Sequence, residues 1–326
     1  MKRLLTPALV LFLLSPTIGE LLSSSSPPSE FFQPFTFLLL ASLYGSGALL
    51  VRELAQRWGK GWPSVLLLGA AYGIVEEGLA VKSFFDPGWV DLGPLAVYGR
   101  WAGVNWVWSL ALTIYHAVFS IGVPILLVGL MFPAQRNRAW LTRRGLTLIA
   151  ALFAAITIFI DLALTPYRPP LASLTLAAAA VAGLVWWARR VPAPRMIEDP
   201  RPLLSPMRLG VATFAATFGL FFFLWFLPNT PVPAAVWMFL TIAYVVWLWS
   251  ALGRRAAHRL WAMSHSLAAA AGALSFFILL TPLMELDPNR PDNATGMTLV
   301  GLATVVLLLS IWKRLHRESM VAAAGG

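Results

Sequence analysis

The chain contains no cysteine, which excludes disulfides, thiolate nucleophiles and cysteine-ligated metals together and leaves His, Asp and Glu as the residues able to hold an ion. Charge is also scarce. Asp, Glu, Lys and Arg make up 12% of 326 residues, about half the share typical of soluble domains, so a water-facing surface cannot be built around the whole molecule. Histidine occurs only four times. No repeat relates the first half of the chain to the second, which gives an inverted-repeat transporter no support.

What fills the sequence instead is apolar, with 59% hydrophobic residues and a mean hydropathy of +0.75. A helix that crosses a bilayer needs about 20 such residues. Segments of that kind fall at 4–22, 31–56, 62–85, 103–132, 145–164, 169–189, 207–227, 232–253, 258–282 and 294–315. They predict an all-α, polytopic membrane protein of about ten transmembrane helices. The first segment also has the basic start and short apolar core of a signal peptide, but no small-x-small cleavage site precedes Glu20, so a retained helix is expected.

A net charge of +10 would suit nucleic acid if the cations shared one surface. They are sorted by topology instead. With both termini cytoplasmic, only Lys82, Arg100, Arg168 and Arg290 of the 24 Lys and Arg fall outside, as the positive-inside rule requires. This predicts a multi-pass protein of the plasma (inner) membrane whose partner is the lipid bilayer, with no nucleic acid. The Pro- and Arg-rich segment 190–206 predicts a cytoplasmic linker between a six-helix bundle, 1–189, and a four-helix bundle, 207–326.

Against this apolar background Glu76 and Glu77 stand side by side in the third segment. A charged side chain at bilayer depth costs about 2.5–3.5 kcal/mol on insertion scales, so a pair of them is a functional candidate by default. In the fourth segment Asn105, Ser109, Thr113, His116 and Ser120 recur at helical spacing and make one polar face, which must turn toward protein or water. Antiparallel neighbours would bring His116 to the depth of the glutamates. Adjacent residues diverge by about 100° around an α-helix, so only one glutamate is expected at the centre of the site. Glu20 and Asp161 share that leaflet and could join the cluster. Lys82 is expected to reach for the external interface, and Arg52 with Glu53 to form an interfacial pair at the other end. Gly69 and Gly73 have the spacing of close helix packing, and residues 85–94, FDPGWVDLGP, could cap the glutamate cavity.

A carboxylate held away from bulk water suits a general base or a proton carrier. The residues therefore leave open a membrane-embedded hydrolase, a proton-coupled transporter of a small or amphipathic solute, and a non-catalytic membrane subunit. The stretch from Glu76 to Lys82, followed by His116, resembles the CAAX-protease and bacteriocin-processing superfamily of intramembrane proteases over about residues 62–132. That family carries EExxxR on one helix, a histidine as FxxxH on a following helix, and a later HxxxN or HxxxD. Here Lys82 falls one position late, Leu112 replaces the phenylalanine, and the third motif is missing, with Ala269 four residues after His265. The resemblance implies a peptidase acting on a membrane-embedded peptide. Glu76 and Glu77 would activate water, His116 would serve as ligand or acid, Asn105 would orient the substrate, and Glu77 with His116 would hold any divalent metal such as zinc.

Overall fold

The computed structural model describes residues 6–193 and 202–324. Lys2, Arg3, Arg195 and Arg201, counted above among the cytoplasmic cations, lie outside the described residues, as does the middle of the 190–206 linker. Among the described residues, nine helices are long and apolar enough to cross a membrane. They are α2 (Pro34–Arg57), α3 (Trp62–Ala80), α4 (Trp106–Met131), α5 (Arg143–Leu164), α6 (Leu171–Arg190), α7 (Pro206–Asn229), α8 (Ala234–Ala256), α9 (Met263–Leu286) and α10 (Met297–Ala324). The first apolar segment forms a shorter helix, α1 (Pro7–Leu22).

These segments are helical because in lipid only a helix or a closed barrel satisfies the backbone internally, and their ends are written in capping chemistry. Thr6, Thr142 and Ser205 each accept a backbone N–H from the first turn of α1, α5 and α7, and Pro7 and Pro206 occupy first helical positions where the missing N–H costs nothing. The only strands among the described residues are Arg100–Trp101 and Val104–Asn105, an antiparallel hairpin turned by Ala102 and Gly103 at positive φ.

Five of the first helices widen into a π-helical turn: α1 at Thr17–Leu22, α2 at Ala41–Gly45, α3 at Val75–Ala80, α4 at His116–Gly122 and α5 at Ile160–Leu164. Such turns are uncommon and concentrate at functional sites. Here they contain Glu20, Tyr44, Glu76 with Glu77, His116 with Ser120, and Asp161.

Residues of both expected bundles pack together. One apolar cluster joins Ile18, Val107, Phe119 and Leu127 of the first part to Phe221, Trp237, Phe277 and Ile311 of the second. Phe119 meets Phe277 edge-to-face at 4.9 Å, and the two parts share this core across α1 and α4. A second cluster, with Leu11, Tyr44, Leu49, Tyr72 and Ile121, fills the space among α1 to α6. The functional candidates lie against that second core.

The Arg52 and Glu53 pair is also corrected. Neither snorkels: Arg52 is 4% exposed and Glu53 is fully buried. Their bonds pin the 133–142 connection against α2, because Arg52 donates to the carbonyls of Arg136 (2.9 Å) and Arg138 (2.5 Å) while Glu53 accepts from Trp140 N (2.8 Å). A backbone turn with unpaired carbonyls is thus satisfied by a buried charge pair.

Candidate functional site

The site is built by α3 and α4 approaching closely enough to exclude side chains between them. A Cβ added at Gly69 would come within 2.9 Å of Ala117 Cα, and one at Gly73 within 2.9 Å of His116 Cβ. Glycine at these two positions lets the imidazole reach the glutamates one turn further along α3. Gly73→Ala should therefore push His116 off its carboxylates, with thermal unfolding reporting an overpacking cost of about 1–3 kcal/mol.

His116 is 2% exposed and has a carboxylate at each ring nitrogen. Nε2 lies 3.0 Å from Glu77 Oε1 in a hydrogen bond. On the opposite edge Nδ1 lies 3.2 Å from Glu76 Oε2, an ion-pair contact without hydrogen-bond alignment, while its hydrogen bond runs to Ser120 Oγ at 3.0 Å. The expectation that only one glutamate could be central is thereby overturned. The wider π turn around Val75–Ala80 changes the angular step between neighbours, and the flat ring is reached from both edges.

Tyrosine completes the surroundings. Of six tyrosines in the chain, Tyr44, Tyr72 and Tyr115 place their rings 6.0, 6.0 and 5.3 Å from the imidazole. Tyr44 donates its hydroxyl to Glu20, whose other oxygen accepts from Ser26 at 3.1 Å, and Tyr115 donates to Gly19 O at 2.6 Å. Tyr72, one helical turn before Glu76, has a buried hydroxyl with no hydrogen-bond partner, and so has Glu76 Oε2. Glu77 is the more exposed of the two glutamates: its side chain is 12% exposed against 6% for Glu76, and Oε2 accepts from Ser83, which in turn accepts from Trp108 Nε1 at 3.0 Å.

Of the residues expected here, the structure gathers Glu76, Glu77 and His116, with Glu20 linked through Tyr44. Asn105 is elsewhere. Its Oδ1 caps α4 by accepting from Trp108 N (3.0 Å) and its amide donates to Leu95 O (2.5 Å), so it orders the polypeptide over the site. Asp161 is corrected too, because it pairs with Lys82. Lys82 does not reach for an interface: it is 1% exposed, turns back at φ +63°, and also donates to Asp161 O at 3.1 Å.

The 81–105 connection closes over this end of the bundle. Phe84, Phe85 and Val104 pack with Ala177, and Arg100 donates to the carbonyls of Phe85 (2.8 Å), Ala96 (3.0 Å) and Asp86 (3.2 Å). Ser120, read from the sequence on the polar face of α4, is brought to the ring, and the residues missed in the sequence are Tyr44, Tyr72, Tyr115 and Ser83. Of these only Tyr72 carried a signal, four residues before Glu76 on its own helix.

The donor set fits a divalent ion. One ligand atom each from Glu76, Glu77 and His116 can be chosen so that all lie within 4.8 Å of one another, and Ser120 fixes the ring from behind as ligating imidazoles require. No curated protein and no solved structure matches the chain. A family model matches residues 9–324, and the chain belongs to that family, an uncharacterized membrane protein family.

Proposed function

We propose that this protein is a membrane-embedded hydrolase, acting on a peptide bond of a membrane-spanning substrate at the Glu76–His116–Glu77 site. The observation that carries the reading is the imidazole held between two carboxylates inside a bundle of membrane-crossing helices. Glu77, the more exposed of the pair, is the base. It takes a proton from a water as the water oxygen bonds to the scissile carbonyl carbon. The developing oxyanion accepts from the Tyr72 hydroxyl, which is buried, belongs to the helical turn before Glu76 and has no hydrogen-bond partner. The proton passes to the leaving amine through His116 as the C–N bond breaks, giving one acid and one amine. Glu76 and Ser120 hold the ring for that transfer. A divalent ion such as zinc, held by Glu77 and His116 with Glu76 beside them, would supply a more acidic water when bound.

The resemblance to the CAAX-protease and bacteriocin-processing superfamily supports the same reading, and the distribution of cations supports a plasma-membrane protein with cytoplasmic termini. With the site near the external ends of α3 and α4, the scissile bond lies in the outer leaflet. One observation favours a second reading: carboxylates on both ring nitrogens can also pass a proton from Glu76 to Glu77, as a proton-coupled transporter requires. The test is reconstitution in proteoliposomes with a labelled single-span peptide library. Hydrolysis yields fragments by mass spectrometry with no proton flux. Solute-driven proton uptake without fragments replaces the first reading with the second.

A further inference from the structure

At the other end of the bundle lies a cavity of about 290 Å³ between α2, α3 and α4. Its wall carries three cations, Arg52, Lys60 and Arg136, and no acidic side chain, while Val65, Ile125 and Leu130 line its apolar part. Cations over an apolar floor at the end of membrane-crossing helices match a molecule that is anionic at its head and apolar immediately below. We propose that this cavity binds the phosphate of an anionic phospholipid headgroup.

The cavity is a built site. Arg52 is 4% exposed and stacks on Trp140 at 3.7 Å, and Glu53, behind the wall, pairs with Arg52 and Arg57 but with neither Lys60 nor Arg136. Lys60 is anchored through Val191 O at 2.8 Å, which holds its ammonium at the rim without cancelling it. Gln56 donates to Asn137 O at 2.9 Å and Arg57 to Leu141 O at 2.5 Å, so the connection bearing Arg136 is fixed at several points while the Arg136 side chain itself stays exposed. Trp62 and Trp140 flank the cavity, as indoles do at the headgroup level. Free phosphate offers the same head chemistry, but the apolar floor favours a headgroup, and basic pockets between transmembrane helices take such groups.

The test is native mass spectrometry of the full chain in detergent, titrated with phosphatidylglycerol against phosphatidylcholine, for wild type, Lys60→Gln, Arg136→Gln and Arg138→Gln. Arg138 is exposed on the same connection but does not line the cavity. Wild type and Arg138→Gln should retain phosphatidylglycerol preferentially, and Lys60→Gln and Arg136→Gln should each lose about fivefold of that preference. No preference in wild type, or an equal loss in Arg138→Gln, overturns the proposal. So does inorganic phosphate raising the unfolding temperature in phosphatidylcholine nanodiscs as far as phosphatidylglycerol does, since the lipid would then be superfluous. Thermal unfolding of each variant separates lost binding from lost folding.

Discussion

Glu77→Gln should abolish turnover, a loss of about 10²–10⁴-fold, while the folded state is retained or gains stability. Glutamine keeps the shape: its one carbonyl oxygen still faces His116 Nε2 while its amide group takes the other position and donates to Ser83 Oγ, so packing changes little. On the proposed hydrolase reading, what disappears is the base, together with a charge held where water is sparse. Glu76→Gln, on the other ring nitrogen, removes an orienting charge and not the base, and should cost about 10–100-fold. The comparison is informative because the residues are adjacent in sequence yet differ in role. Rates on a cleavable single-span peptide, with unfolding temperatures of the same samples, check both. A Glu77→Gln protein that turns over at the wild-type rate removes the base from the account.

The largest effect on stability is expected at the pair that flanks the site without joining it. Lys82 is 1% exposed, whereas the Asp161 side chain is 34% exposed, so the two ends of this ion pair are unequal. Asp161→Ala leaves an ammonium buried with one backbone carbonyl for company, and should cost about 3 kcal/mol, the lower end of the range for stranding a buried charge. Lys82→Met removes the buried member and leaves an aspartate that reaches water, so its cost should be about 1 kcal/mol or less. Thermal unfolding in one detergent should rank Asp161→Ala well below Lys82→Met. The reverse order would mean that Lys82 is not enclosed.

Much of the fold was legible because lipid enforces a single solution. An apolar run at 103–132 became Trp106–Met131, and one at 169–189 became Leu171–Arg190, since twenty apolar residues in a row allow little else. The pairing of His116 with the glutamates was legible for the same reason, as a polar face in lipid needs a polar partner. The rest turned on features with no sequence signature. Both glutamates reach the ring through a π turn, and nothing in the segment VEEGLA announces the extra residue. Lys82 folds back at a positive φ that lysine seldom adopts, so periodicity carried it outward when the chain carries it in. Arg52 and Glu53 looked interfacial because the backbone groups that recruit them, two carbonyls for Arg52 and the Trp140 N–H for Glu53, lie more than 80 residues away in the chain. Phe119 packs on Phe277 of the second half, a contact that hydropathy does not encode.

The central claim is that a single imidazole stands between two carboxylates and out of bulk water. ¹⁵N NMR of histidine-labelled protein in bilayers tests it directly, with the His116 signals assigned by their loss in His116→Phe. The account predicts that Glu77→Gln shifts the Nε2 resonance most and Glu76→Gln the Nδ1 resonance most, with neither nitrogen behaving as a water-exposed imidazole. Two nitrogens that titrate freely and ignore both substitutions would contradict it.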